Sequence, residues 1–188
     1  MAKDGELKIR IRQACEDDIE DLLALAAFAD RDDGGDREEQ ISRDTLRQSL
    51  FMPGSLCRAL VADASGPIVG VAHYHRFQPA VVRNPTLALD DLYVIEQYRR
   101  LGIGWKLLEE LSRRAIEMDC EQIDFTVQRG NRKAVRFYKR LGAKVYNDTH
   151  YCRLDRKVVK TLASSGKEGL AKEEEPKPKR KFGRKAKK

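Results

Sequence analysis

Three sets of residues in this 188-residue chain have the types and spacing to do chemistry. Asp90 and Asp91 stand side by side inside an apolar run, Leu87-Ala-Leu-Asp-Asp-Leu-Tyr-Val94. A carboxylate on a half-buried strand is costly unless paired or hydrated, so two in a row suggest a cleft lining that attracts cations. Neighbouring strand residues point to opposite faces unless a bulge intervenes. Next comes a basic glycine turn, Arg99-Arg100-Leu101-Gly102-Ile103-Gly104, opening an amphipathic helix. A helix N-terminus offers free backbone N–H groups and the positive end of a dipole. Glycines let that backbone approach a phosphate, so the turn reads as a pyrophosphate cradle, with a plain strand-to-helix turn as the alternative. Third is Tyr138. Phenols keep their proton at neutral pH, so Tyr138 has one to give. Ala134, Phe137, Tyr138 and Leu141 also follow helical spacing, and a core tyrosine would look the same.

Other nucleotide motifs fail. No Gly-x-x-x-x-Gly-Lys-Ser/Thr loop is present. The dinucleotide fingerprint needs a third small residue where Leu107 stands. Arg99, Gly102 and Gly104 instead fit Arg/Gln-x-x-Gly-x-Gly/Ala. About thirty residues on comes Asn131-Arg-Lys-Ala-Val-Arg-Phe-Tyr138-Lys-Arg-Leu-Gly142-Ala143. The two signatures, in this order and separation, resemble those of the GCN5-related N-acetyltransferase superfamily. With Leu89–Val94 and Phe137–Ala143, the chain is similar to its diamine (spermidine/spermine) and thialysine N-acetyltransferase branch over roughly Lys8 to Leu162.

The resemblance implies an acetyl-CoA-dependent transfer to a primary amine of a small diamine, polyamine or lysine analogue. A protein lysine or N-terminal acetyltransferase is the second reading, and a non-catalytic acetyl-CoA or RNA-binding module the third. It also implies roles. The backbone of Leu101, Gly102, Ile103 and Gly104 holds the pyrophosphate, with charge from Arg99 and Arg100, although Arg100 also suits a solvated surface. The backbone of Leu92, Tyr93 and Val94 holds the pantetheine arm. Tyr138 is the acid for the departing thiolate. Asn131 helps position the cofactor, and equally suits a helix N-cap. Asp90 and Asp91 match a Glu-Asp pair that binds the substrate ammonium, the first member acting as base through water. Asp90 is one methylene shorter, which bears on both the base role and substrate length. A homodimer is implied by the resemblance alone.

The elements that must position these groups follow from periodicity. Leu7–Ile11 alternates as a first strand. Glu16-Asp-Asp18 leads a helix through Phe28, and Asp30–Asp36 reads as a polar loop. The resemblance would let Asp30, Asp32, Asp33 and Asp36 add acidic charge for a cationic substrate, but a solvated loop is the favoured reading. A second helix is expected over Glu38–Leu50. Cys57–Asp63 and Ile68–Phe77 form a hairpin. The Leu87–Val94 strand, a helix from Ile103 to Met118, a Gln122–Val127 strand and a Lys133–Leu141 helix stopped by Gly142 come next. Lys144–Asn147 and Tyr151–Leu154 would close the sheet. The expected class is α/β: a mixed, mostly antiparallel twisted sheet with helices on both faces.

Charge divides the chain. Residues 163–188 carry 10 Lys/Arg against 4 Glu, giving +6 of the net +7. The expectation is one domain over 1–162 and a disordered basic tail over 163–188. The tail would contact nucleic acid, another polyanion or an import receptor, or would simply solubilise. Cys15, Cys57, Cys120 and Cys152 lack Cys-x-x-Cys spacing, so neither a zinc site nor a disulfide framework is indicated. His73 and His75 share a strand face but lack a third ligand, and no metal is expected. No apolar run is long enough to span a membrane and no hydrophobic leader is evident. A cytoplasmic or nuclear location is expected.

Overall fold

The computed structural model describes residues 8–32, 41–78, 84–150 and 152–165. The chain divides into two compact units, Met1–Val135 and Arg136–Lys188.

The first unit is built on a five-stranded sheet in sequence order: β1 (Arg10–Gln13), β2 (Cys57–Asp63), β3 (Ile68–Phe77), β4 (Thr86–Val94) and β5 (Gln122–Asp124). Every pairing is antiparallel except β4 with β5, which is parallel. Helices α1 (Ile19–Asp32) and α2 (Arg43–Leu50) cover one face, and α3 (Ile103–Glu117) covers the other. Strand alternation dictates this division. Leu60, Ala62, Tyr74, Leu87 and Leu89 bury against Ile103, Leu107, Leu111 and Ala115. Ala59, Val61 and Val71 bury against Ile19, Leu22, Leu25 and Leu46 on the opposite side. Each buried Leu, Ile or Val among these contributes about 1.5–3 kcal/mol, and each Ala less.

Local chemistry sets the helix limits. Ahead of α1, the Asp18 carboxylate accepts from the Cys15 N–H at 2.8 Å. The same carboxylate takes two 2.7 Å hydrogen bonds from Arg12. Ser42 caps α2, its Oγ accepting from Thr45 N at 3.1 Å. The second helix therefore starts later than Glu38, whose own position lies outside the described residues. The first residues of the expected acidic loop, Asp30 to Asp32, are helical instead. α1 continues through Asp30 to Asp32, because Asp32 is held from outside by Tyr93 and Arg99. Asp33 and Asp36 lie outside the described residues.

Helix α4 (Arg132–Arg140) runs across the boundary between the units, and α5 (Arg156–Ser165) lies in the second. Gly142 follows α4 at φ +93°, the left-handed C-terminal stop expected from its type. Neither of the two closing strands is formed among the described residues. Residues 144–147 and 152–154 are irregular, and Tyr151 lies outside the described residues. In their place Asp155 caps a helix, its Oδ1 accepting from Val158 N at 2.9 Å. α5 runs three residues past the boundary at 162, and the basic segment from 166 onward lies outside the described residues. No helix among the described residues is long and apolar enough to cross a membrane. All four cysteines are free.

Candidate active site

The cradle is assembled at the junction of β4 and α3. Gly102 sits at the N-cap of α3 with φ +79° and no side-chain cap, and the first turn holds no acidic residue. Arg100 is also left-handed, at φ +66°. Alternating left- and right-handed residues gather successive N–H groups into an anion-binding concavity. The first intrahelical bond runs from Lys106 N to Gly102 O, so the N–H groups of Ile103, Gly104 and Trp105 are the orphan donors of the first turn. The Ile103 side chain is buried in the α3 core and anchors the loop, while Leu101 is exposed. This uncapped, acid-free helix start suits a pyrophosphate.

Arg99 is tied into the fold. Its Nε donates to Val94 O at 2.7 Å and its Nη2 to Asp32. Its guanidinium lies 5.4 Å from the centre of the Tyr93 ring. The Tyr93 hydroxyl donates to the same Asp32 carboxylate at 2.8 Å. Hydrogen bonds from Tyr93 and then Arg99 hold the Asp32 carboxyl below its usual range. Burial, followed by the Asp32 hydrogen bond, pushes the Tyr93 phenol up to about 12. Arg99 is thus a brace between α1, β4 and the turn. Arg100 is exposed and makes no ion pair among the described residues.

β4 is open along half its length. Its parallel ladder with β5 covers only Thr86–Ala88, and the chain beyond Asp124 leaves strand geometry. Leu89–Val94 therefore pairs with β3 alone among the described residues. Unpaired backbone groups on a strand edge accept an extended partner, and the Leu92, Tyr93 and Val94 backbone assigned to the pantetheine arm lies on this stretch.

A bulge sets the acidic pair. His73 opposes Asp91 and Tyr74 opposes Leu89, leaving Asp90 as the extra residue. Both carboxylates reach the face that carries His73 and His75. Asp90 Oδ2 is 2.8 Å from His75 Nδ1, and Asp91 Oδ2 is 3.9 Å from His73 Nδ1. Both acids are exposed. Cys57 lies directly opposite His75 in the β2–β3 ladder, and burial raises its thiol pKa, with help from the Asp90 charge. In the sequence His75 lacks a third ligand and Cys57 lacks a Cys-x-x-Cys partner. Their pairing was recoverable only from the hairpin register, which shifts between Ala62 and Asp63.

Asn131 caps α4, its Oδ1 accepting from Ala134 N at 3.0 Å. In the second unit, Tyr138 is half-buried, with its ring centre 5.2 Å from that of Phe137. No residue of α4 is fully buried, so the stripe carrying Tyr138 is not a sealed core.

Residues 17–143 match the acetyltransferase (GNAT) family model, and the chain belongs to this family of N-acetyltransferases, which use acetyl-CoA as co-substrate. It is 32% identical over 142 residues to thialysine N-epsilon-acetyltransferase of Mus musculus, covering 71% of this chain and 83% of that protein. An integron cassette protein of V. cholerae superposes with a TM-score of 0.72 at 27% identity, over 86% of this chain and all of that one. A metagenomic aminoglycoside acetyltransferase shares the fold at TM-score 0.68 and 19% identity, over 78% of this chain and 97% of that one.

Proposed function

We propose that this protein transfers an acetyl group from acetyl-CoA directly to a primary amine of a small diamine, polyamine or thialysine-like substrate. The observation that carries the reading is the β4 bulge, which puts Asp90 and Asp91 on one face beside the unpaired strand edge. The similarity to thialysine N-epsilon-acetyltransferase supports the same substrate class.

When bound, acetyl-CoA supplies the acetyl thioester. The residues present fit it: the Leu101–Gly104 backbone and Arg100 suit its phosphates, and the Leu92–Val94 edge suits its amide-bearing arm. Asp90 and Asp91 draw in an ammonium ion, since two exposed carboxylates without a Lys or Arg partner among the described residues favour an incoming cation. Asp90 Oδ accepts the amine proton, through water where its shorter side chain does not reach. His75 Nδ1 holds that carboxylate in place. From its place in the second signature, Tyr138 carries at Oη the proton required by the departing sulfur.

Coenzyme A release, measured with acetyl-CoA against putrescine, spermidine, spermine, thialysine, lysine, tyramine and a lysine peptide, tests the reading. Turnover on one or more free amines is expected. Acetylation of the peptide alone would overturn it in favour of a protein acetyltransferase.

A further inference from the structure

Cys57, His75 and Asp90 come from three successive strands. They offer a thiol sulfur, an imidazole nitrogen and a carboxylate oxygen, all within 4.8 Å of one another. The β2–β3 register sets Cys57 opposite His75. The bulge in β4 carries Asp90 Oδ2 to 2.8 Å from His75 Nδ1. We propose that these three residues form a site for one divalent transition cation, zinc fitting best, and that its occupancy shuts the amine site.

The donor set argues for this cation class. Thiolate and imidazole select borderline and soft ions over magnesium or calcium, and a carboxylate oxygen is also an accepted zinc ligand. Tetrahedral zinc, with bonds of about 2.0–2.3 Å, needs its donors about 3.5 Å apart. Closing the present triangle takes side-chain rotations of about 1 Å while the ladder holds the three Cα positions. Three protein donors leave a fourth position for water. Cys57 and His75 are half-buried and Asp90 is exposed, so the cation enters from the side of Asp90. Binding displaces the thiol proton to solvent, and the cation takes the place of the His75–Asp90 hydrogen bond. No Lys or Arg among the described residues pairs with Asp90, so no resident cation competes.

Cation binding stands on this geometry alone. The blocking effect rests on the reading above, because it removes the Asp90 carboxylate from the amine. The test titrates the full chain, free of acetyl-CoA, with cobalt(II) as the probe and then with zinc. One equivalent of cobalt should give a thiolate-to-cobalt charge-transfer band and tetrahedral visible bands, both bleached by one equivalent of zinc. Cys57→Ser should lose the charge-transfer band and bind cobalt at least about tenfold more weakly. His75→Gln should weaken binding similarly, each variant melting like the wild type. Zinc should suppress amine acetylation by the wild type, followed by mass spectrometry of the product, and spare Cys57→Ser, whose metal-free rate stays unchanged. A missing charge-transfer band, or unchanged cobalt affinity in Cys57→Ser, overturns the site. A normal band with zinc-insensitive turnover overturns the blocking effect. Cobalt binding without turnover on any amine leaves the site standing and defeats the substrate reading instead.

Discussion

Asp90 and Asp91 are adjacent in sequence and reach the same face of the sheet, because the β3–β4 register slips by one residue at Asp90. A regular strand would have sent one of them into the α3 core. The bulge distinguishes the two: Asp90 is the unpaired extra residue, and Asp91 sits within the ladder opposite His73. With Asp90 as the proposed proton acceptor, Asp90→Asn should lower kcat about 100-fold or more. Asp91→Asn removes only attraction for the ammonium. It should raise KM for the amine about tenfold with kcat within about twofold. Steady-state kinetics on the preferred amine read both. Equal effects on kcat would show that the two carboxylates do not divide the work.

Tyr138→Phe keeps the ring and its 5.2 Å packing on Phe137 while removing the hydroxyl. Loss of a proton donor should lower kcat by roughly 100-fold, with acetyl-CoA affinity by calorimetry unchanged. Unchanged turnover would make Tyr138 a packing residue only.

Much of this arrangement is legible in local pattern. The β2–β3 hairpin, α3 and the two signatures follow from alternation, helical spacing and glycine placement, and β3 matches its expected span Ile68–Phe77. What escaped depends on distant partners. The bulge is a property of β3 and β4 together. Asp30–Asp32 looks like loop until Tyr93 and Arg99, both more than sixty residues away in sequence, hold Asp32 at the end of α1. The Asp32 and Val94 O contacts of Arg99 are equally long-range or conformational and leave no mark in the local sequence. At the C-terminal end a closing strand is expected over Tyr151–Leu154, and the helix that follows it is not. Asp155 three residues ahead of Val158 announces the helix that forms there.

Gly102 tests the cradle. Its φ of +79° costs an L-residue about 1–2 kcal/mol. A Cβ placed there meets nothing within 4 Å, so the penalty is conformational rather than steric. Gly102→Ala should therefore shift the turn that presents the N–H groups of α3. The expected result is an acetyl-CoA KM raised about tenfold, comparable to the strain, with the amine KM little changed. A melting temperature and acetyl-CoA KM both equal to the wild type would show that the left-handed turn is not what presents the pyrophosphate donors.

Asp18 makes stability depend on pH. It is buried, chelated by Arg12 through two 2.7 Å hydrogen bonds, and accepts a third from Cys15 N. The Arg12 hydrogen bonds come first among the causes holding its carboxyl below the usual range. A depressed folded-state pKa means that the unfolded chain binds the proton first as pH falls. The stabilisation is thus full above the ordinary carboxylate range, and declines as pH drops through that range towards the lower folded-state value. Asp18→Asn keeps an acceptor for Cys15 but leaves Arg12 with Asp63, at 3.2 Å, as its one remaining carboxylate among the described residues, beside the Gln13 carbonyl at 3.3 Å. It should cost about 2–3 kcal/mol at neutral pH. Urea unfolding of the wild type and of Asp18→Asn at a series of pH values reads the difference. The gap should narrow once pH falls below about 4. A gap that stays constant through that range would place the contribution of Asp18 in its shape and hydrogen bonds rather than in its charge.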